Sequence, residues 1–191
     1  MIRLSLACGC LTLFSLVSAE AQKTTTAQAS AANASFAYIS DDGCVQNDVV
    51  VFANKTTVVS ANPPDTKATV TYSRYRYDYC DDSDLGTDMG ASAQPVFSGN
   101  LDGALLNATI NGTTASGSAV SVSIVLVWQG RGATTPLAGR PPNSRAGSPK
   151  VIHSENLSRN ATVVSGTIDG QDITQGLVSA SLRTTLKTTS R

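Results

Sequence analysis

Apolar and polar positions alternate along this chain with a period of two, and the alternating stretches are rich in Val, Thr, Ile and Tyr. That period and composition predict strands half-buried on one face. Ser35 to Ser40 puts Phe36 and Tyr38 on one side, and Val49 to Ala53 is a β-branched run ending at Asn54. Thr66 to Tyr79 is the clearest strand: Ala68, Val70 and Tyr72 share one face, then the pattern moves to Tyr75, Tyr77 and Tyr79 on the other. A change of face within one strand predicts a bulge or bend near Ser73-Arg74. Ala104 to Ile110 sets Leu106, Ala108 and Ile110 against Leu105, Asn107 and Thr109. Ala119 to Trp128 begins with serines opposite Val120 and Val122 and ends apolar on both faces, which predicts the centre of the core, with Trp128 inside it. Ala161 to Ile168 and Leu177 to Leu186 complete the set.

No stretch carries a sustained helical repeat, and Gly, Asn, Asp and Pro punctuate the strands. The expected fold is all-β: a single β-sandwich, Ig-like or jelly-roll in type, of about 7–10 antiparallel strands over residues 35–191. Two segments fall outside the pattern. Residues 22–34, rich in Thr, Ala, Gln and Ser, read as a flexible N-terminal segment. Residues 129–149 hold Gly130, Gly132, Pro136, Gly139, Pro141, Pro142, Gly147 and Pro149 with Arg131, Arg140 and Arg145, and read as a long basic loop.

The first twenty-one residues change the picture most. Met1-Ile2-Arg3 is a basic start, Leu4 to Val17 a mostly apolar run, and Ala19-Glu20-Ala21 a small-x-small cleavage site. This is the pattern of a secretory signal peptide cleaved near Ala21, too short to span a membrane. Secretion fixes the cysteine chemistry. Cys8 and Cys10 leave with the signal, and Cys44 and Cys80 are expected to form one disulfide in an oxidising space. Asp42-Gly43-Cys44 and Asp78-Tyr79-Cys80 each follow an aromatic strand and precede a polar turn, which suggests two similar hairpins with joined tips.

Net charge is zero, so no global field draws the chain to nucleic acid, and no later apolar run reaches membrane-spanning length. Ten aspartates lie between Asp41 and Asp102 against four basic residues, while from Arg131 onward eight basic residues face Glu155, Asp169 and Asp172. Within the acidic half, Asp82, Asp84 and Asp88 surround Gly86 at alternate positions, the arrangement of hard oxygen ligands that calcium takes. The competing reading is a solvated hairpin tip that keeps a sheet edge soluble. Calcium is the one cofactor the sequence raises.

Catalytic constellations are mostly excluded by absence. The only histidine is His153, expected at a strand edge, and no Gly-x-Ser-x-Gly elbow, phosphate loop or dinucleotide fingerprint occurs. Six sequons, at Asn33, Asn54, Asn107, Asn111, Asn156 and Asn160, are candidate glycosylation sites. Alternation groups Tyr75, Tyr77 and Tyr79 on one face and Arg74, Arg76 and Asp78 on the other. Such a stripe either fills a core or offers a platform for pyranose rings, and the core reading carries more weight.

An aromatic strand ending in Asp-x-Cys, the run Phe97-Ser98-Gly99-Asn100-Leu101-Asp102-Gly103-Ala104-Leu105-Leu106-Asn107-Ala108-Thr109, and a Val-rich strand ending at Trp128-Gln129-Gly130 precede a Gly/Pro/Arg loop and Asn156-Leu157-Ser158-Arg159-Asn160-Ala161-Thr162. This order resembles a set of small, uncharacterised secreted proteins from bacteria. Its members often carry histidines and aromatics in the long loop, where this chain has only His153 nearby. The resemblance implies a secreted β-protein and no activity. The expected function is a non-enzymatic extracellular binding or surface-interaction module, its partner a carbohydrate or another surface protein. A structural envelope or matrix component is the alternative, and a secreted hydrolase using His153, Glu155 or an aspartate pair comes third.

Overall fold

The computed structural model describes residues 23–40, 43–92, 94–137, 151–174 and 176–190, so the signal segment lies outside the described residues. The chain is all-β. Its ten strands are β1 (Lys23–Ile39), β2 (Val45–Val58), β3 (Asp65–Asp78), β4 (Ser83–Ser92), β5 (Val96–Gly99), β6 (Gly103–Thr113), β7 (Ala119–Leu137), β8 (Val151–Ile168), β9 (Gln171–Asp172) and β10 (Leu177–Ser190). Every pairing is antiparallel, in the order β10-β1-β2-β3-β4-β6-β7-β8-β9, and β10 also pairs with β8. That last pairing closes the strands into a ring, with β5 lying beside β6 and β9 beside β8.

Alternation decides what faces inward. Ala32, Ala34 and Phe36 of β1, Val49, Val51 and Ala53 of β2, and Leu106, Ala108 and Ile110 of β6 are all buried, as are Val122, Ile124, Leu126 and Trp128 of β7. They belong to one apolar cluster with Phe97, Val163, Ile168, Ile173 and Leu182. Trp128 donates its indole N–H to the Asn33 carbonyl at 2.9 Å, tying β7 to β1 across the interior. Glycine permits the closest approach of backbones where β4 meets β6. This seam has only three registered pairs, and a Cβ on Gly112 would stand 2.0 Å from the Met89 carbonyl oxygen.

Three expectations are corrected. Residues 23–34 are not a flexible lead but most of β1, and its buried Ser30, Ala32 and Ala34 are too small to register as an apolar pattern. Gln129 to Leu137 is not loop but the exposed continuation of β7, paired with β8. It is anchored by Arg159, whose Nε donates to the Gly132 carbonyl at 2.9 Å and whose Nη1 meets Asp102 at 2.9 Å. Residues 138–149, the rest of that expected loop, lie outside the described residues. Finally, β3 does not change face at Ser73-Arg74. Its irregularity falls between Arg76 and Tyr77, where Leu85 is the extra residue on β4 and Gly86 takes φ 76°.

One end of the ring gathers the β1–β2, β3–β4, β6–β7 and β8–β9 connections, because β1, β3, β6 and β8 all run toward it. It is called the upper end below. The expected disulfide forms here, with Cys44 and Cys80 joined at a Cα–Cα distance of 5.3 Å and Tyr79 N–H donating to the Cys44 carbonyl at 2.9 Å.

Candidate functional site

Because β3 keeps its alternation through Arg76, Val70, Tyr72, Arg74 and Arg76 face the interior and the three stripe tyrosines face out. Tyr75 is 37% and Tyr79 59% exposed, so the stripe is a surface and not a core filling. Register supplies its neighbours. The uppermost outer row is Ile39, Gln46, Tyr77 and Asp84, the next Ala37, Asp48, Tyr75 and Thr87, and the third Ser35, Val50, Ser73 and Met89. Phe52 follows below, paired with Asn33 on one side and Thr71 on the other.

The tyrosines are held. Tyr77 and Tyr79 pack edge to face, with centroids 5.1 Å apart and planes at 66°. The Tyr77 hydroxyl donates to Asp82 and the Tyr79 hydroxyl to Gln46 Oε1. The bond to Asp82 leads the causes that push the Tyr77 phenol pKa upward, and desolvation followed by Asp84 does the same for Tyr75. Around them stand Asp48, Asp81, Asp82 and Asp84, with no basic side chain in those two upper rows.

The same geometry separates the three aspartates of the calcium expectation. Asp82 lies at φ 49° against Tyr77, and Asp84 Oδ1 accepts the Gly86 N–H at 2.7 Å. Asp88 points to the other side of the sheet, fully buried, where Arg74 Nη2 meets Oδ2 at 2.8 Å and Arg76 Nη2 meets Oδ1 at 3.3 Å. Three carboxylates divided between two faces of a strand do not converge on one cation. Among the described residues, the group of three metal-type donors that does converge is Cys44, Asp78 and Cys80. Its sulfurs are joined to each other, and Asp78 Oδ1 accepts the Cys80 and Asp81 N–H groups as a turn cap.

Arg74, Arg76 and Asp88 form a cluster that alternation alone does not announce. Arg74 also donates its Nε to Asp88 at 3.2 Å. Burial works against the Arg74 charge, but its bonds to Asp88 lead the influences that outweigh it and hold the guanidinium above its ordinary range. Tyr72, one inner row below, is 3% exposed, and its hydroxyl has no hydrogen-bond partner. Desolvation drives its pKa well upward, so the hydroxyl stays protonated. The sequence signal was present: two arginines at i, i+2 set between tyrosines, opposite a strand carrying Asp88.

Between Ala37–Ile39 of β1 and Gln171–Ile173 lies a cavity of about 430 Å³. Its wall includes Tyr38, which shares an inner row with Asn47 and Arg76, and buried Ile173. Asp172 accepts the N–H and hydroxyl of Thr174, which lowers its pKa.

The remaining candidates are dispersed. His153 and Glu155 lie near the start of β8, opposite the end at which the β3–β4 turn stands, so no cleft joins them to the aspartates. Asn33, Asn107, Asn111 and Asn160 are exposed, while Asn54 and Asn156 are half-buried. The Asn33 side-chain Oδ1 accepts from the Ser181 N–H and hydroxyl, and Asn156 Oδ1 accepts from the Thr185 hydroxyl. No helix among the described residues is long and apolar enough to cross a membrane.

Compared with known proteins, the chain matches no family model and no curated sequence. A solved structure from Nitrosomonas europaea, provisionally assigned as an AttH, is similar at 9% identity and a TM-score of 0.32. The alignment covers 85% of this chain and 51% of that one, so this chain spans about half the length of that protein.

Proposed function

We propose that this is a secreted, non-enzymatic binding protein whose outer β1–β4 face takes a neutral or amino-bearing carbohydrate on Tyr75, Tyr77 and Tyr79. The observation that carries the reading is the outward stance of these tyrosines beside Gln46, Asp48, Asp82 and Asp84. Rings held by second contacts offer flat apolar faces to the C–H side of a pyranose, and carboxylates and amides accept its hydroxyl hydrogens. The absence of Lys and Arg from the two upper rows disfavours acidic polymers. The disulfide is compatible with an extracellular location, and the exposed sequons suit a glycoprotein in a host that modifies them. The expected sandwich enters as a flattened ring whose two walls press together, a reading supported by the Trp128–Asn33 bond across the interior.

A second reading, a surface-protein partner, is favoured by Val50, Phe52 and Met89, which expose 50%, 45% and 61% of their surface on the same face. Retention of the mature, oxidised protein on insoluble chitin, cellulose and xylan tests the first reading. Wild type is expected to be retained on one of them, and Tyr75→Ala/Tyr79→Ala to lose that retention with its far-UV spectrum unchanged. Equal behaviour of the two proteins on all three polymers overturns the carbohydrate reading.

A further inference from the structure

Most buried residues of the ring are apolar, and its buried carboxylate lies in the upper two inner rows. There the register stacks Tyr38, Asn47 and Arg76 above Phe36, Val49, Arg74 and Asp88, with Tyr72 beneath Arg74. Two guanidinium groups, 16% and 29% exposed, share one fully buried carboxylate, which leaves a net positive charge at the top of the core. The Tyr72 hydroxyl and Arg76 Nε are buried without partners. Buried polar groups are nearly always satisfied. Tyr38, in the inner row of Asn47 and Arg76, also lines the cavity of about 430 Å³, a size usual for small-ligand sites. The rest of that wall is mixed. Ile39 and buried Ile173 are apolar, while Asp172, held by Thr174, is exposed and screened by water.

We propose that the upper mouth of the ring binds a small organic carboxylate, its headgroup taken by Arg74, Arg76 and the Tyr38 and Tyr72 hydroxyls, its apolar body lying in the cavity against Ile173. One anion with several acceptor lone pairs balances the excess charge and satisfies both orphaned groups at once. The site is distinct from the tyrosine stripe, which stands on the opposite face of the same strand.

Calorimetric titration of the mature protein with benzoate tests this, with benzamide as its neutral isostere and inorganic phosphate as the competing oxyanion. Benzoate is expected to bind with a Kd on the order of millimolar or tighter, and benzamide and phosphate at least about tenfold more weakly. Arg76→Gln removes the excess charge and leaves the Arg74–Asp88 pair intact, so benzoate affinity is expected to fall about tenfold or more. Tyr72→Phe, which keeps the ring in the core, is expected to weaken it several-fold. Tyr79→Ala on the outer face is expected to leave it unchanged, which separates this site from the carbohydrate reading. No benzoate binding to wild type, equal binding of benzamide or phosphate, or affinity undiminished in both Arg76→Gln and Tyr72→Phe overturns the proposal.

Discussion

Tyr72 gives its ring to the core and its hydroxyl to no protein partner. An orphaned buried hydroxyl costs about 1–3 kcal/mol. Tyr72→Phe is therefore expected to raise the stability of the ligand-free protein by about 1 kcal/mol in urea unfolding. Its pH dependence has a definite sign. The folded phenol is held above its ordinary value of 10.0, so as pH rises past 10.0 the unfolded chain releases a proton that the folded chain keeps. Stability then falls with pH, and Tyr72→Phe removes that contribution. The gap between the two proteins should be constant below pH 10.0 and widen above it, with the variant the more stable, and parallel curves above pH 10.0 would contradict the burial of the hydroxyl. Asp88 is the reverse case. Asp88→Ala leaves Arg74 and Arg76 facing each other beside an apolar core and is expected to cost about 3–5 kcal/mol, read as a shift of the urea midpoint at unchanged m-value. Arg76→Gln keeps one pair whole and should cost far less.

At the scale of the element, β3 and β4 carry both faces of the functional argument, and their details separate what the sequence discloses from what it hides. Alternation disclosed β6 and β7 through Leu106, Ile110, Ile124 and Leu126, because large apolar side chains recur at a period of two. It hid most of β1, where Ala32 and Ala34 do the same work with no visible apolar contrast, and the end of β7, which pairs with β8 beyond the core and buries nothing. In β3 the pattern separated tyrosines from arginines but could not say which set faces in. Hydrophobicity favours the tyrosines, and only Asp88, fourteen residues after Arg74, makes the buried arginines tenable. The split of Asp82 and Asp84 from Asp88 gives the hairpin a definite expectation. Calcium in millimolar excess over chelator should leave the thermal midpoint unchanged, and a rise would show that a ligand set other than these three aspartates binds it. The neighbouring β4–β6 seam is the narrowest in the ring. Gly112→Ala would drive a methyl into the Met89 carbonyl and the Gly90 Cα, at 2.0 and 2.6 Å. A loss of about 2–3 kcal/mol is expected, with amide exchange of Met89 and Ala91 accelerated before that of β2.

The whole molecule depends on joining its ends. β1 pairs with β10 from Lys23↔Ser190 upward, and β10 pairs on its other edge with β8, so the last strand closes the ring opened by the first. Contacts this distant in sequence make folding slow, because loop entropy is lost before the pairing repays it. Until β10 arrives, β1 and β8 present bare hydrogen-bonding edges, and Leu182, fully buried in the finished ring, is missing from the core. The disulfide cannot substitute for this closure, since Cys44 and Cys80 tie together strands that already pair through fourteen registered positions. The two forms of damage should therefore differ in kind. Cys44→Ser/Cys80→Ser should lower stability by up to about 3–4 kcal/mol while keeping a single cooperative transition. Ending the chain at Gly176 should abolish the cooperative transition and yield a species that binds hydrophobic dyes and self-associates through the exposed edges. Calorimetry with light scattering on both proteins decides the matter. A truncated chain that melts as one unit without aggregating would mean that the core, and not the closed pairing, holds the fold together.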